Sequence, residues 1–332
     1  MPFTLAKPLN RKFVIGLAGT SGSGKTRSAL ELATGLAGKD GKICFIDTEH
    51  RSNWYADKFI FYSNTLSQPY TPEAYSQAAR EAVEAGADVI VVDSMSHGWG
   101  GPGGLLEVHA ALVEERAQKS FQRAQQKGWN TTLDEQMDKI SQFCWARLKP
   151  RWNFMANAFL TLGVHVILCY RAKEVAENLR GKTRNKLRMK SGAMDIISEG
   201  SEVFDLTVSL LMDTARPGYV AEVLKLPDEI RSVVNFSEQL SRKHGELLRA
   251  VANGEALEAD TEYEDLKTRA NEAASNGFSS LRTFWQGLTP QEQGRLQPDK
   301  DRLKRAARNI DEMNTSIDDD GMTLTPDDQA VA

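Results

Sequence analysis

The run Gly19-Thr20-Ser21-Gly22-Ser23-Gly24-Lys25-Thr26, directly after the apolar stretch Phe13 to Ala18, constrains this chain more than any other feature. Its glycines open backbone conformations closed to side-chained residues, so that several N–H groups can point inward at one anion. The flanks agree: Phe13, Val14, Ile15 and Leu17 read as a buried strand entering the loop, and Thr26 to Leu36 as a helix leaving it. That helix would aim the positive end of its dipole at the anion. Gly, four residues, then Gly-Lys-Thr is the spacing of a triphosphate cradle, so the ligand expected is ATP or GTP. Lys25 would meet the β- and γ-phosphates, and the Thr26 hydroxyl would ligate Mg2+. The expected nucleotide segment is therefore Gly19, Thr20, Ser21, Gly22, Ser23, Gly24, Lys25, Thr26 and Arg27. A Gly/Ser-rich linker would need neither the strand nor the helix.

The pattern continues as alternating strands and helices. Ile43 to Ile46 reads as a second buried strand ending in Asp47-Thr48-Glu49-His50, and Phe59 to Tyr62 as a short third. Thr71-Pro72-Glu73 starts a helix, with Thr71 as cap, that stops at Gly86. Asp88 to Asp93 is a strand of β-branched residues ending in a carboxylate, and Val164 to Cys169 is another. Strands this uniformly apolar belong in a mostly parallel sheet covered on both faces, an α/β fold. Asp93, at a strand end after a phosphate loop, is the expected holder of the Mg2+ shell. Asp205 to Met212 and Tyr219 to Leu224 read as a strand pair across Arg216-Pro217-Gly218.

Between these strands lie two less regular stretches. A glycine-rich loop, Ser94 to Gly104, carries Trp99, and a polar helical segment follows, with Pro150 expected to interrupt its second helix before Trp152. After Arg171 and Lys173 come Arg180, Lys182, Arg184, Lys186, Arg188 and Lys190. Cations on every second residue project from one side of an extended chain. Such a row suits a nucleic-acid backbone, or else a solvated hairpin without a ligand. Trp99 can stack on a base or plug the sheet edge.

The 332 residues, 41% hydrophobic and 26% charged, suffice for one large domain and a smaller one. The expected divisions are a core over 1–240, a helix and linker over 241–264, a small helical domain over 265–314 and a disordered acidic tail over 315–332. Phe278, Leu281, Phe284, Trp285 and Leu288 share a helical face, and Thr289-Pro290-Gln291-Glu292 is a capping box that opens the next helix. From Asp311 onward there are seven acidic residues and no Lys or Arg; removing them from the net charge of −4 leaves +3 for the rest. Cys44, Cys144 and Cys169 have no paired spacing and are expected as buried thiols. No run approaches a membrane span and the N-terminus lacks a secretory signal, so no membrane partner and a cytoplasmic location are expected.

The order of motifs resembles a known family. GTSGSGKT, then FIDTEH at Phe45 to His50, then DVIVVDS at Asp88 to Ser94, is similar to the ATPase core of the RecA recombinases. More narrowly, WGGPGGLLE at Trp99 to Glu107, HVILCYRAKE at His165 to Glu174 and VAEVLKLPDEIR at Val220 to Arg231 resemble bacteriophage RecA-like ATPases of the AAA type, some associated with single-strand annealing. The resemblance covers roughly residues 10 to 235 and implies a RecA-like phosphate-loop core with ATP and Mg2+. It implies that Glu49 activates the attacking water and that the loop after Asp93 and the basic stretch after Arg171 face DNA. It also implies that Lys225 reaches a neighbouring subunit's γ-phosphate. Where RecA proteins carry a sensor glutamine this chain has Cys169 or Tyr170, and Arg171 is the candidate substitute.

The reading is thus an ATPase acting on single-stranded DNA in recombination, annealing or replication, as a homo-oligomeric filament or ring. A phage single-strand-binding or annealing protein is a further expected partner. The rivals are a RecA-core translocase or helicase and a nucleotide-gated interaction module.

Overall fold

Six consecutive buried residues, Val14–Gly19, form strand β1, and alternate side chains leave it toward opposite faces. Val14 and Ala18 enter one core, and Ile15 and Leu17 the other. The same division holds in β2 (Ile43–Asp47), β4 (Val89–Asp93) and β5 (His165–Glu174), where Ile46, Ile90, Val92 and Leu168 join the first core and Phe45, Val89, Val91 and Ile167 the second. Burial on both faces is what a parallel strand requires. With β3 (Tyr62–Thr65), β6 (Met194–Ile196), β7 (Val208–Met212) and β8 (Val220–Lys225), the order is β3-β2-β4-β5-β1-β7-β8, and β6 pairs with β5. All pairings are parallel except β7 with β8 and β5 with β6. This is the α/β fold expected, with a mostly parallel central sheet.

The computed structural model of the chain describes residues 10–174, 194–199, 205–255, 257 and 260–320. It divides into two compact units, Met1–Leu257 and Glu258–Ala332. In the first, α1 (Lys25–Ala37) covers the second core together with the helix Arg242–Asn253, and α2 (Pro72–Glu84) covers the first core. Thr71 caps α2 as expected, its hydroxyl accepting from Ala74 N at 3.2 Å. The crossover from β4 to β5 runs through the short α3 (Ser96–Gly100) and two long helices, α4 (Leu105–Gln126) and α5 (Leu133–Thr161). These two lie antiparallel, His109 bonding to Ser141 O and Ser120 to Gln136. In the second unit Tyr263, Leu266, Ala270, Leu281, Leu288, Leu296, Leu303 and Ala307 form a core of their own. The Thr289–Glu292 capping box is in place.

Three expectations are corrected. Pro150 does not interrupt α5: its missing N–H falls on an exposed turn, while Leu148, Trp152, Met155 and Phe159 anchor the helix on both sides. The third strand is Tyr62–Thr65, not Phe59 to Tyr62; Phe59 is buried in the second core, and the strand itself is exposed throughout. The helix Arg242–Asn253 falls where a helix and linker are expected, and it belongs to the first unit. A Cβ on Gly35 would lie 2.2 Å from Arg242 O, and one on Gly245 2.2 Å from Leu32 O, so the two helices cross with their backbones in contact. The last helix continues from Lys300 to Asp320, past the expected end at Asn314, and the chain beyond Asp320 lies outside the described residues. The three cysteines are free and buried, and among the described residues no helix is long and apolar enough to cross a membrane.

The crossing at Gly245 gives a direct test. Gly245→Val should lower the melting temperature by roughly 5–10 °C, because backbone carbonyls cannot move aside as a side chain would. An unchanged melt by circular dichroism would contradict the close crossing.

Candidate active site

Register puts Asp47 opposite Asp93 and Asp93 opposite Cys169, with Gly19 opposite Arg171 two residues further along, so that the carboxyl ends of β2, β4 and β1 stand close to one another around β5. Ligands of open parallel sheets bind in the crevice outside such carboxyl ends. The phosphate loop rises from β1 with φ of +83° at Gly22 and +86° at Gly24. A Cβ on Gly24 would also lie 2.6 Å from Gly218 N, so glycine is needed there for conformation and for space. Gly218 N donates to Ser23 O at 3.0 Å, and the β7–β8 turn thereby braces the loop. Lys25 Nζ donates to Gly19 O at 3.0 Å and to Thr20 O at 2.7 Å, its ammonium folded onto its own loop. Burial lowers its pKa, a penalty that phosphate oxygens would relieve. Arg27 points outward on α1, its side chain 64% exposed beside Glu31.

The two residues expected to hold the metal meet. Thr26 Oγ1 donates to Asp93 Oδ2 at 2.5 Å. Asp93 is buried, and burial pushes its carboxyl up to about 6 against the downward pull of the Thr26 hydrogen bond. Two hard oxygens with an under-compensated carboxylate suit a divalent cation. Among the described residues no group of three or more His, Cys, Asp or Glu side chains is arranged to hold a metal. Mg2+ is a cation of the kind two such oxygens can serve, since it keeps several waters and takes substrate phosphates in place of a full protein cage.

Glu49 follows the end of β2, where Asp47 fixes the turn by accepting from Glu49 N at 2.9 Å and Ser52 N at 2.8 Å. Its carboxylate is held by Arg171, whose Nε and Nη2 each donate at 2.7 Å. Burial raises the Glu49 pKa, but the hydrogen bonds and charge of Arg171 outweigh it and leave the group below the usual range. Arg171 N donates in turn to Ser96 Oγ at 2.8 Å, which ties β5 to α3. Beyond Arg171, β5 pairs antiparallel with β6.

Other expected residues lie elsewhere. Lys225 pairs with Ser209, and Ser209 with Gly16, three residues below Gly19, so Lys225 sits about 10 Å down the sheet from its own phosphate loop. Trp99 is half-buried, stacked on Trp145 at 5.4 Å and edge-on to Trp152 at 5.3 Å, so its ring lies against other aromatics. Arg180, Lys182, Arg184, Lys186, Arg188 and Lys190 lie outside the described residues. Sequence reasoning missed Thr48, Tyr70, Ser94 and His97, which form a bonded cluster behind Glu49. The available signal was the pair of strand ends, FIDTEH and VVDSMSH, that level strands bring side by side.

Residues 11–241 match the family profile described as AAA domain. No curated protein matches the chain. Among solved structures, a KaiC-like protein from the hyperthermophilic archaeon Pyrococcus horikoshii is similar at 13% identity over 60% of this chain and 70% of that one, with a TM-score of 0.26.

Asp93 yields a linkage prediction. Its folded pKa lies above the unfolded value of about 3.9, so the native state loses stability as pH rises from about 4 to about 6 and stays penalised above. The shift corresponds to an order of 3 kcal/mol. Asp93→Asn, with chelator present, should therefore melt roughly 5–10 °C above the unsubstituted protein at pH 8, with the gap narrowing below pH 6. A lower or equal melting temperature at pH 8 would contradict the burial argument.

Proposed function

The chain belongs to the AAA-domain family, and on that premise we propose that it is a RecA-like, phage-type ATPase acting on single-stranded DNA in recombination, annealing or replication. The observation that carries the nucleotide half is the Thr26–Asp93 contact directly beside the phosphate loop, made by residues 67 positions apart. The loop amides and Lys25 hold the triphosphate. Thr26 and Asp93 would hold Mg2+, which would neutralise phosphate charge there. Glu49 orients the water that attacks the γ-phosphorus and takes up its proton as the bond to the bridging oxygen breaks.

In the present arrangement Glu49 is occupied by Arg171, which supports slow hydrolysis until something draws the arginine away. The DNA half of the proposal rests on continuity: the basic run from Arg180 to Lys190 lies in the chain between β5 and β6, and β5 carries Arg171. DNA on that run would be felt at Arg171, and Arg171 would then be free to meet the γ-phosphate. Completion by a neighbouring copy in a filament or ring, with Lys225 reaching across, belongs to the same reading. So does a phage single-strand-binding or annealing protein as partner.

ATP turnover with and without single-stranded DNA tests this, with Lys25→Ala as the inactive control. DNA should raise the rate tenfold or more, within the roughly 10³-fold that completing such a site can supply. Changing Arg184, Lys186 and Arg188 together to Ala should remove the stimulation and flatten the salt dependence of DNA affinity by about 2 units of log–log slope. A DNA-independent rate, equal in the triple variant, would turn the reading toward a nucleotide-gated interaction module.

A further inference from the structure

His97, on α3 four residues after Asp93, has no part in the scheme above, yet its ring is fixed on three sides. Tyr70 stacks on it with centroids 5.0 Å apart and planes 22° apart. Its Nδ1 lies 2.8 Å from Thr48 Oγ1, and its Nε2 lies 4.0 Å from Glu49 Oε1. The hydrogen bonds behind the ring decide which nitrogen carries the proton. Thr48 Oγ1 accepts from Ser94 N at 2.7 Å and has one proton to give, either to Ser94 O at 3.2 Å or to His97 Nδ1 at 2.8 Å. Ser94 O already accepts from Tyr75 OH at 2.7 Å. The contact to Nδ1 is the shorter of the two, and with the Thr48 proton on it the ring proton stands on Nε2, facing Glu49.

We infer that His97 is a positioning residue for Glu49, its Nε2–H holding one carboxylate oxygen once Arg171 releases the group, so that the other oxygen meets the attacking water. The inference rests on the hydrolysis reading above. Burial, and then the charge of Arg171, keep the imidazole below its ordinary pKa, so near neutral pH it donates without adding a full positive charge that would weaken Glu49 as a base. The chain Tyr75–Ser94–Thr48–His97 also links the residue after Asp93 to the carboxylate that orients the water. Metal and water sites would thus be kept in register by side chains that touch neither.

A double-mutant cycle on the full chain tests this. His97→Ala should lower kcat on the order of tenfold or more with KM for ATP within about twofold, and in a Glu49→Gln background it should lower kcat no further. Gln can present an amide N–H near the Nε2 position and Asn cannot, so His97→Gln should retain most of the rate and His97→Asn should resemble Ala. Additive losses, or Asn outperforming Gln, would overturn the role. Ring-nitrogen NMR of the unsubstituted protein gives a readout that needs no variant to fold: an Nε2–H tautomer is expected, and Nδ1–H would overturn the proposal. A protein with no ATP turnover at all would instead overturn the hydrolysis reading, and this inference with it.

Discussion

The site depends on one buried carboxylate. Asp93 closes β4, the strand between β2 and β5, and is itself buried among buried Asp47, Ser94 and Cys169. A carboxylate there is costly to ionise, and in the structure the Thr26 hydroxyl answers it at 2.5 Å. That contact fixes the first turn of α1 over the end of β4 and so sets where the phosphate loop stands. The loop is braced from its other side by the β7–β8 turn at Gly218, and α1 is pinned along its length by the Gly35–Gly245 crossing. An unfavourable local charge is thus kept in place by packing distributed over the whole first unit, as functional sites commonly require.

Around this anchor the charged groups form a graded set. Lys25 folds back on loop carbonyls, Glu49 is taken by Arg171, and His97 stands behind Glu49 with its Nδ1 against the Thr48 hydroxyl. The Lys25 and Arg171 contacts are ones a nucleotide or an attacking water would replace, whereas the Thr48–His97 contact lies behind them. Arg171 is the member with reach. It is paired with Gly19 in register and continues into the β5–β6 pair, so displacement of that pair and release of Glu49 involve the same few residues.

Much of this was legible in the chain because it depends on local rules. Glycine spacing, the β-branched strand ending in Asp93, the Thr71 cap and the Thr289–Glu292 box all state their geometry within a few residues. The readings that failed needed tertiary information. Tyr62–Thr65 forms a strand because β2 offers it an edge, not because its polar side chains say so, while apolar Phe59 and Phe61 serve the core outside it. Pro150 sits in α5 because burial on either side holds the helix through the lost bond. The helix Arg242–Asn253 was expected as a helix, but its partner, α1, lies more than 200 residues earlier and left no local sign. Glu49 and Arg171 were each singled out, but their pairing, like the Thr48–His97 bond, follows from strand register that spacing does not reveal.

The measurement that goes most directly to the centre of this account is the Mg2+ dependence of ATP turnover in the unsubstituted protein and in Asp93→Asn. If Thr26 and Asp93 are the protein's foothold for the cation, turnover rises steeply with Mg2+ in the unsubstituted protein, and the asparagine variant stays near background at every concentration while still folding. Turnover in Asp93→Asn that follows the same Mg2+ curve to the same maximum would contradict it, and would leave the buried carboxylate as a structural group alone.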